Sequence, residues 1–386
     1  MFSILKPTLW LAAGLLAPAL AIVACGGGST PAGNVGSGAN SLTAGEYLFE
    51  GGVSTSDLSY AKIDPTTGKL SSPTFAASQV SNSGSFPGLV VAPSKNFVYA
   101  FWSSFSLLET FEMKGPGVQL FSKKSGNYTV NVPDQDSLIL HPTGKFLYVV
   151  MSNSESSIQE ISVDTLTGTL TPGSAQKPLD YGGWATMDPS GKYLYLSGYG
   201  RIFAFKIDQT TGALSPVAGS PFALPQNQMP SQLVIGGSGM SLFLYADLSP
   251  SSGFLAGIAG FAIDSSTGTL STIPGSPFQS EDAPGFLCVH PSRGFLYSSS
   301  STSLAGLQIN ASTGALTQVP GSPYPATAFG ALAIDPMGKF LYAANYQSST
   351  IYGFSLDSVT GSFASLPGSP FPSVPQPNNL TPMSIP

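Results

Sequence analysis

Six times the chain writes nearly the same eight-residue phrase, first as Ile63-Asp64-Pro65-Thr66-Thr67-Gly68-Lys69-Leu70 and again from Val163, Ile207, Ile263, Ile309 and Leu356. A second phrase, Asp/His-Pro-x-Gly-Lys-Phe-Leu-Tyr, interleaves with it at His141–Tyr148, Asp188–Tyr195, His290–Tyr297 (with Arg293-Gly294 in place of Gly-Lys) and Asp335–Tyr342. Looser copies stand at Ala92–Tyr99 and Gly237–Tyr245. Pro93, Pro142, Pro189, Pro291 and Pro336 mark a unit of about 49 residues, the period at which short β-rich runs and Gly turns stack as blades. Seven units fit between Gly45 and Pro386. The expectation is an all-β, seven-bladed β-propeller of four-stranded antiparallel blades.

Residues 329 to 371 show why one unit is one blade. Phe329–Ile334 is a short apolar run with small residues, suited to an inner strand near a crowded axis. In Asp335-Pro336-Met337-Gly338, Pro presets φ for the first turn position and Gly takes the left-handed site without steric cost. Lys339–Asn345 and Thr350–Leu356 read as the second and third strands, joined to a fourth by a hairpin at Asp357–Gly361. The fourth carries prolines, as do its counterparts at Pro221, Pro277 and Pro323, which places it on the outer rim, where Pro is tolerated and discourages edge pairing. The first unit starts at Glu46 without an inner strand. Pro377–Pro386 resembles the Pro-x-x-Leu starts at Pro230 and Pro284, so the C-terminal strand is expected to close the ring. The second unit is degenerate: Val118–Tyr128 is read as its hairpin, with a long insertion around Phe105–Gly117, and the fifth unit carries another around Ser249–Ala256.

With 14 basic and 20 acidic residues and only 9% of the chain charged, the sequence lacks the dense Lys/Arg of a nucleic-acid reader or a polybasic membrane binder. The N-terminus reads as a processing signal. Lys6 precedes an apolar run, Leu9 to Ala24, that is short for a bilayer span, and Ile22-Val23-Ala24-Cys25 resembles the lipobox of bacterial lipoproteins, in which the Cys is lipidated. Residues 1–24 are then a signal peptide, 25–44 a Gly/Ser-rich tether and 45–386 the propeller. Residues 26–44 as a coil reach roughly 25 Å, at ~5–6 Å times the square root of length. The expected address is the bacterial cell envelope, on the periplasmic face of the outer membrane or the cell surface, with membrane contact through the lipid and the protein a monomer. The other cysteine, Cys288, lies in the apolar run Phe286–Val289 and reads as a core residue.

Together, Asp-Pro-x-Gly-Lys-Phe-Leu-Tyr, Asp-x-x-Thr-Gly-x-Leu and Gly-Ser-Pro-Phe resemble the lactonase-like seven-bladed propellers. That family includes the propeller-type 6-phosphogluconolactonases and is related to the Tyr-Val-Thr-Asn repeat proteins of bacterial surfaces. The resemblance runs from Gly45 to Pro386 and implies the fold, with lactone hydrolysis as the family's activity. It also implies a histidine early in an inner strand. This chain has none there: His141 and His290 each precede Pro in a first turn, where sister units have Asp188 and Asp335, and read as turn residues.

The repeated turns belong to one face of the ring and the variable loops to the other, which is where a site is grafted. That second face should collect Glu50, Trp102, Asp134, Asp136, Glu155, Asp180, Trp184, Tyr199, Arg201, Asp247, Glu281, Asp282 and Asn345. Among these, Arg201, Trp184, Asp180 and Tyr199 are the candidate ligand-binding residues, an arginine able to clamp a carboxylate or phosphate beside aromatic area. Arg201 paired with Asp180 or Glu155 on the surface is the structural alternative. Several carboxylates at one mouth suit Ca²⁺, but no Asp-x-Asp-x-Asp-Gly loop is present and no metal is assigned. Ile235-Gly-Gly-Ser-Gly239 is no phosphate loop, and no motif calls for a cofactor. Three readings follow: a propeller binding a carbohydrate, lactone or protein without turnover; a lactonase; and a structural surface protein.

Overall fold

The computed structural model describes residues 44–52, 57–78, 89–102, 107–114, 119–122, 128–129, 137–151, 156–179, 183–224, 230, 232–248, 256–279, 284–325 and 329–385. Its strands form seven small antiparallel sheets of four or five strands each, one per repeat, arranged as the blades of a propeller. Blade 7 follows the sequence pattern, with Phe329–Ile334 innermost, then Phe340–Asn345, Thr350–Leu356 and, on the rim, Phe363–Ser365 and Phe371–Pro372. In blades 4 to 7 the rim strand is split by the Gly-Ser-Pro segment, and both halves pair with the third strand. Pro221, Pro277, Pro323 and Pro370 lie in that gap after cis peptide bonds. The preceding serine holds the gap closed by accepting a third-strand N–H, as Ser369 Oγ does from Gly353 at 2.9 Å.

The ring closes through the C-terminus. Pro377–Ile385 is the inner strand of blade 1 and pairs along Gly45–Gly52, with Glu46 opposite Ser384 and Glu50 opposite Leu380. Blade 2 departs from the sequence reading. Leu107–Lys114 is its third strand rather than an insertion, and Gln119–Ser122 is its fourth rather than part of a Val118–Tyr128 hairpin; the residues that join them, 115–118, lie outside the described residues. The alternation Leu107-Leu-Glu-Thr-Phe-Glu-Met113 was the correct signal, and the missing Asp and Thr-Gly marker displaced it. The insertion read at Ser249–Ala256 falls between the second and third strands of blade 5, with 249–255 outside the described residues.

Hydrophobic clusters lie between neighbouring blades, each drawing on facing sheets. One joins Tyr195 and Ile202 of blade 4 to Leu244 and Phe261 of blade 5, another Phe146 and Tyr148 of blade 3 to Leu194 and Phe205 of blade 4. The repeated phrases are the clasps of these seams. The second-strand tyrosine of each of blades 3 to 7 donates its hydroxyl to the hairpin Gly carbonyl of the next blade, at 2.7–3.1 Å from Tyr148, Tyr195, Tyr245, Tyr297 and Tyr342. The same glycine lies flat on an aromatic ring two residues before that tyrosine. A β-carbon on Gly212 would stand 2.4 Å from Phe146, and its φ of 77° is a left-handed value that favours Gly. Tyr342 reaches Gly68 of blade 1, so the last blade grips the first by the same device.

Candidate functional site

His141 and His290 lie on the repeated-turn face. His141 Nδ1 accepts the backbone N–H of Thr143 at 3.2 Å, which leaves the proton on Nε2 to be donated to Gly191 O at 2.9 Å in blade 4. His290 repeats this with Ser292 and, across to blade 7, Gly338. Asp188 and Asp335 cap the equivalent turns with two carboxylate oxygens, on Ser190 and Tyr193 and on Met337 and Phe340 respectively. The histidines are turn residues, as read from the sequence, and each also bridges two blades. Where blade 5 presents Gly237 in place of that capping residue, the facing turn in blade 6 admits Arg293 at a φ of 60°. Gly237 N–H then bonds Arg293 O at 2.9 Å.

On the opposite face the best-defined feature is the axial mouth. Gly183-Trp184-Ala185 enters the inner strand of blade 4 and is pinned from two sides. Ser137 Oγ of blade 3 donates to Gly183 O at 3.3 Å and accepts from Ala185 N at 3.1 Å. Ser197 Oγ accepts from Trp184 N at 2.9 Å, and Ser197 N donates to Trp184 O at 2.7 Å. From this fixed backbone the half-buried indole packs against the cluster formed by blades 6, 7 and 1, which includes Phe286, Leu332 and Leu380 and no other described residue of blade 4. Blade 4 adjoins only blades 3 and 5, so Trp184 reaches that cluster across the axis. Other inner-strand entries are tied by buried polar side chains. Asp247 Oδ1 accepts Gln232 N at 2.5 Å, and Gln232 Oε1 accepts the N–H of Leu287 in the next blade.

Arg201 and Tyr199 occupy the same blade farther out. Arg201 is exposed, begins the third strand and donates Nε to Tyr199 O at 3.3 Å, while Tyr199 itself is 53% exposed. Two strand spacings, about 10 Å, separate this pair from the inner-strand entry that carries Trp184. The structure therefore brings Trp184 to the axis and leaves Arg201 and Tyr199 at the edge of the mouth. Asp180, Asp134, Asp136, Glu155, Glu281, Asp282 and Cys25 lie outside the described residues. Among the described residues no three His, Cys, Asp or Glu side chains come together as a metal would require.

On this side Glu50 is fully buried in the seam between blades 7 and 1. Its Oε2 accepts Ser373 Oγ at 2.6 Å and Val374 N at 3.3 Å, and its Oε1 has no partner among the described residues. Burial pushes the carboxyl up to about 7 despite those two bonds. Sister blades place Ala100, Val149, Leu196, Ala246, Ser298 and Ala343 at this position, one residue after the second-strand Tyr. A cavity of about 250 Å³ opens at the corresponding place between blades 5 and 6, where the cross-strand pair Ser298 and Ala305 is small. In blade 4 the same place holds Leu196 and Phe203. Cys288 packs beside the blade 6–7–1 cluster, and burial pushes its thiol up to about 12.

Residues 249–367 match the family model described as lactonase, 7-bladed beta-propeller. By fold the chain is a seven-bladed propeller, and over these residues it is similar to that family. The same fold recurs in a candidate 6-phosphogluconolactonase from Bacteroides fragilis, at TM-score 0.69 and 18% identity over 88% of this chain and 98% of that chain. A second from Bacteroides uniformis matches at TM-score 0.71 and 17% identity, covering 88% and 99%. A protein from Lactobacillus plantarum matches at 0.70 and 15%, covering 89% and 100%. No curated protein matches the chain.

Proposed function

We propose that the chain is an exported, lipid-anchored propeller that binds a polar organic ligand, a carbohydrate, lactone or peptide, over the axial mouth opposite the repeated turns, without turning it over. The observation that carries this is Trp184, held by four backbone hydrogen bonds around residues 183–185 and laid across the axis. A fixed, half-buried aromatic offers stacking area at low entropic cost, and Arg201 and Tyr199 at the edge of the mouth suit an anionic or hydroxylated group. Binding without turnover is favoured because both histidines of the chain cap turns on the other face.

A second reading, hydrolysis of a sugar lactone, is supported by the family model and by Glu50, a carboxyl whose proton is held near neutral pH. A panel of lactones and glycans separates the two. Calorimetric binding of a panel member that is lost in Trp184→Ala, with no product formed, supports binding. Product formed by the parent and abolished in Glu50→Gln moves the assignment to the lactonase. Arg201→Ala should weaken binding while leaving stability within about 0.5 kcal/mol, the range of an ordinary surface change.

A further inference from the structure

The repeated-turn face carries apolar side chains that the repeat does not need. Leu166, Met240, Met337 and Val359 are 89%, 85%, 64% and 80% exposed, each at the tip of a turn or hairpin loop on that face. Sister hairpins put Thr66, Thr210, Ser266 and Ser312 where Leu166 and Val359 stand, and sister first turns put Thr143, Ser190 and Ser292 where Met337 stands. The turn geometry is satisfied by those small polar residues, so the fold itself does not require apolar tips. They are distributed over blades 3, 5 and 7 around the ring. So spread, they form no contiguous patch for a compact protein partner, and a planar surface is what could meet them together.

The chain's point of entry says which plane. The first strand starts at Gly45, and Glu46 lies opposite Ile63, the residue directly before the Asp64 hairpin. The N-terminal residues therefore leave the propeller on the repeated-turn face. A strand of seven residues is about 23 Å tall, comparable with the roughly 25 Å reach of the tether read from the sequence. Turning the opposite face to the anchoring membrane would stretch the tether by the height of the ring, about its whole root-mean-square reach, at an entropic cost that the repeated-turn face avoids. We propose that the repeated-turn face lies flat on the bilayer that holds Cys25, with Leu166, Met240, Met337 and Val359 entering the headgroup layer. This rests on the lipid-anchored reading above. It adds a protein surface to the lipid, and it points the axial mouth of Trp184 away from the membrane. Lys69, Lys95, Lys145, Lys192, Arg293 and Lys339 share the face with Glu46, Asp64, Asp164, Asp188, Asp208, Asp264, Asp335 and Asp357, so no excess of positive charge draws it to the bilayer and apolar docking should withstand raised salt.

The test uses the full lipidated chain in vesicles of phosphatidylethanolamine and phosphatidylglycerol. In a Cys288→Ala background, an environment-sensitive fluorophore is placed singly through Leu166→Cys, Val359→Cys or Tyr199→Cys. A lipid-borne quencher should act several-fold more strongly at positions 166 and 359 than at 199, with little change when salt is raised. A lipidated chain quenched equally at both faces, or more at 199, overturns the docking and leaves the anchor standing. A mass spectrum showing an N-terminus without lipid overturns the anchor and the docking together.

Discussion

At His141 the capping task that Asp188 performs with two carboxylate oxygens is divided between two ring nitrogens, one for its own turn and one for the neighbouring blade. His290→Asp should accordingly keep the turn, lose the bond to Gly338 O and cost about 1 kcal/mol, the net worth of one hydrogen bond, read as a lower denaturant midpoint. Any hydrolytic rate should be untouched. A lost rate at unchanged stability would restore the histidine to chemistry. Glu50 acts in the other direction. Its carboxyl ionises near 4.5 when unfolded and is pushed up to about 7 in the seam, so unfolding between those values releases a proton. This contribution to stability is full below pH 4.5 and lost as pH rises through 7, by about 3 kcal/mol in all. Glu50→Gln should flatten that slope in thermal melts and exceed the parent in stability at pH 8. Equal slopes in the two proteins would mean the carboxyl is not held as described. The signal for Glu50 was present in the sequence, since every sister repeat has a small or apolar residue there. Its burial was not, because Ser373 and Val374 are more than 320 positions away.

The hairpin and the second strand of the preceding blade form one lock, and two irregular blades show how it works. Blade 2 has lost the Asp and Thr-Gly of its hairpin, and blade 1, which would grip it, carries Phe49 where other blades have Tyr. Tyr99 of blade 2 is fully buried, yet its hydroxyl has no partner among the described residues. Thr110 Oγ1 instead donates to Gly168 O at 3.2 Å, the carbonyl that sister tyrosines would use. The same substitution should therefore act oppositely in two blades. Tyr342→Phe should lose the bond to Gly68 and about 1 kcal/mol, whereas Tyr99→Phe removes an unpaired buried hydroxyl and should be neutral or stabilising. Parallel denaturant titrations decide it, and equal losses would contradict the lock. These phrases made the blade count, the turn face and the rim prolines legible, because local turn chemistry fixed them. Leu107–Lys114 was misread because its marker was gone. Trp184 was legible as a residue on the right face, but its reach to Leu332 and Leu380 arises only from closing the ring.

Closure is what turns seven marginal sheets into one molecule, and two separate contacts make it. Tyr342 on Gly68 clasps the outer part of the seam, and Pro377–Ile385 completes blade 1 from the inside. The second carries more. Leu380, Met383 and Ile385 are almost wholly buried, at about 1.5–3 kcal/mol for each fully buried side chain, and the strand supplies the inner ladder of Gly45–Gly52. That total is on the order of 5 kcal/mol or more before any hydrogen bond is counted, against a usual domain stability of about 5–15 kcal/mol. The clasp at Tyr342, at about 1 kcal/mol, cannot offset such a loss, so removing the strand should open the ring and not merely fray its end. It would also uncover Glu50, whose partner across the pair is Leu380, and the cluster on which Trp184 rests. A chain ending before Asn378 should melt far below the parent, bind a dye specific for apolar surface and lose the pH slope assigned to Glu50. A truncated protein as stable as the full chain would show that the first blade stands without its borrowed strand and that the ring does not depend on this closure.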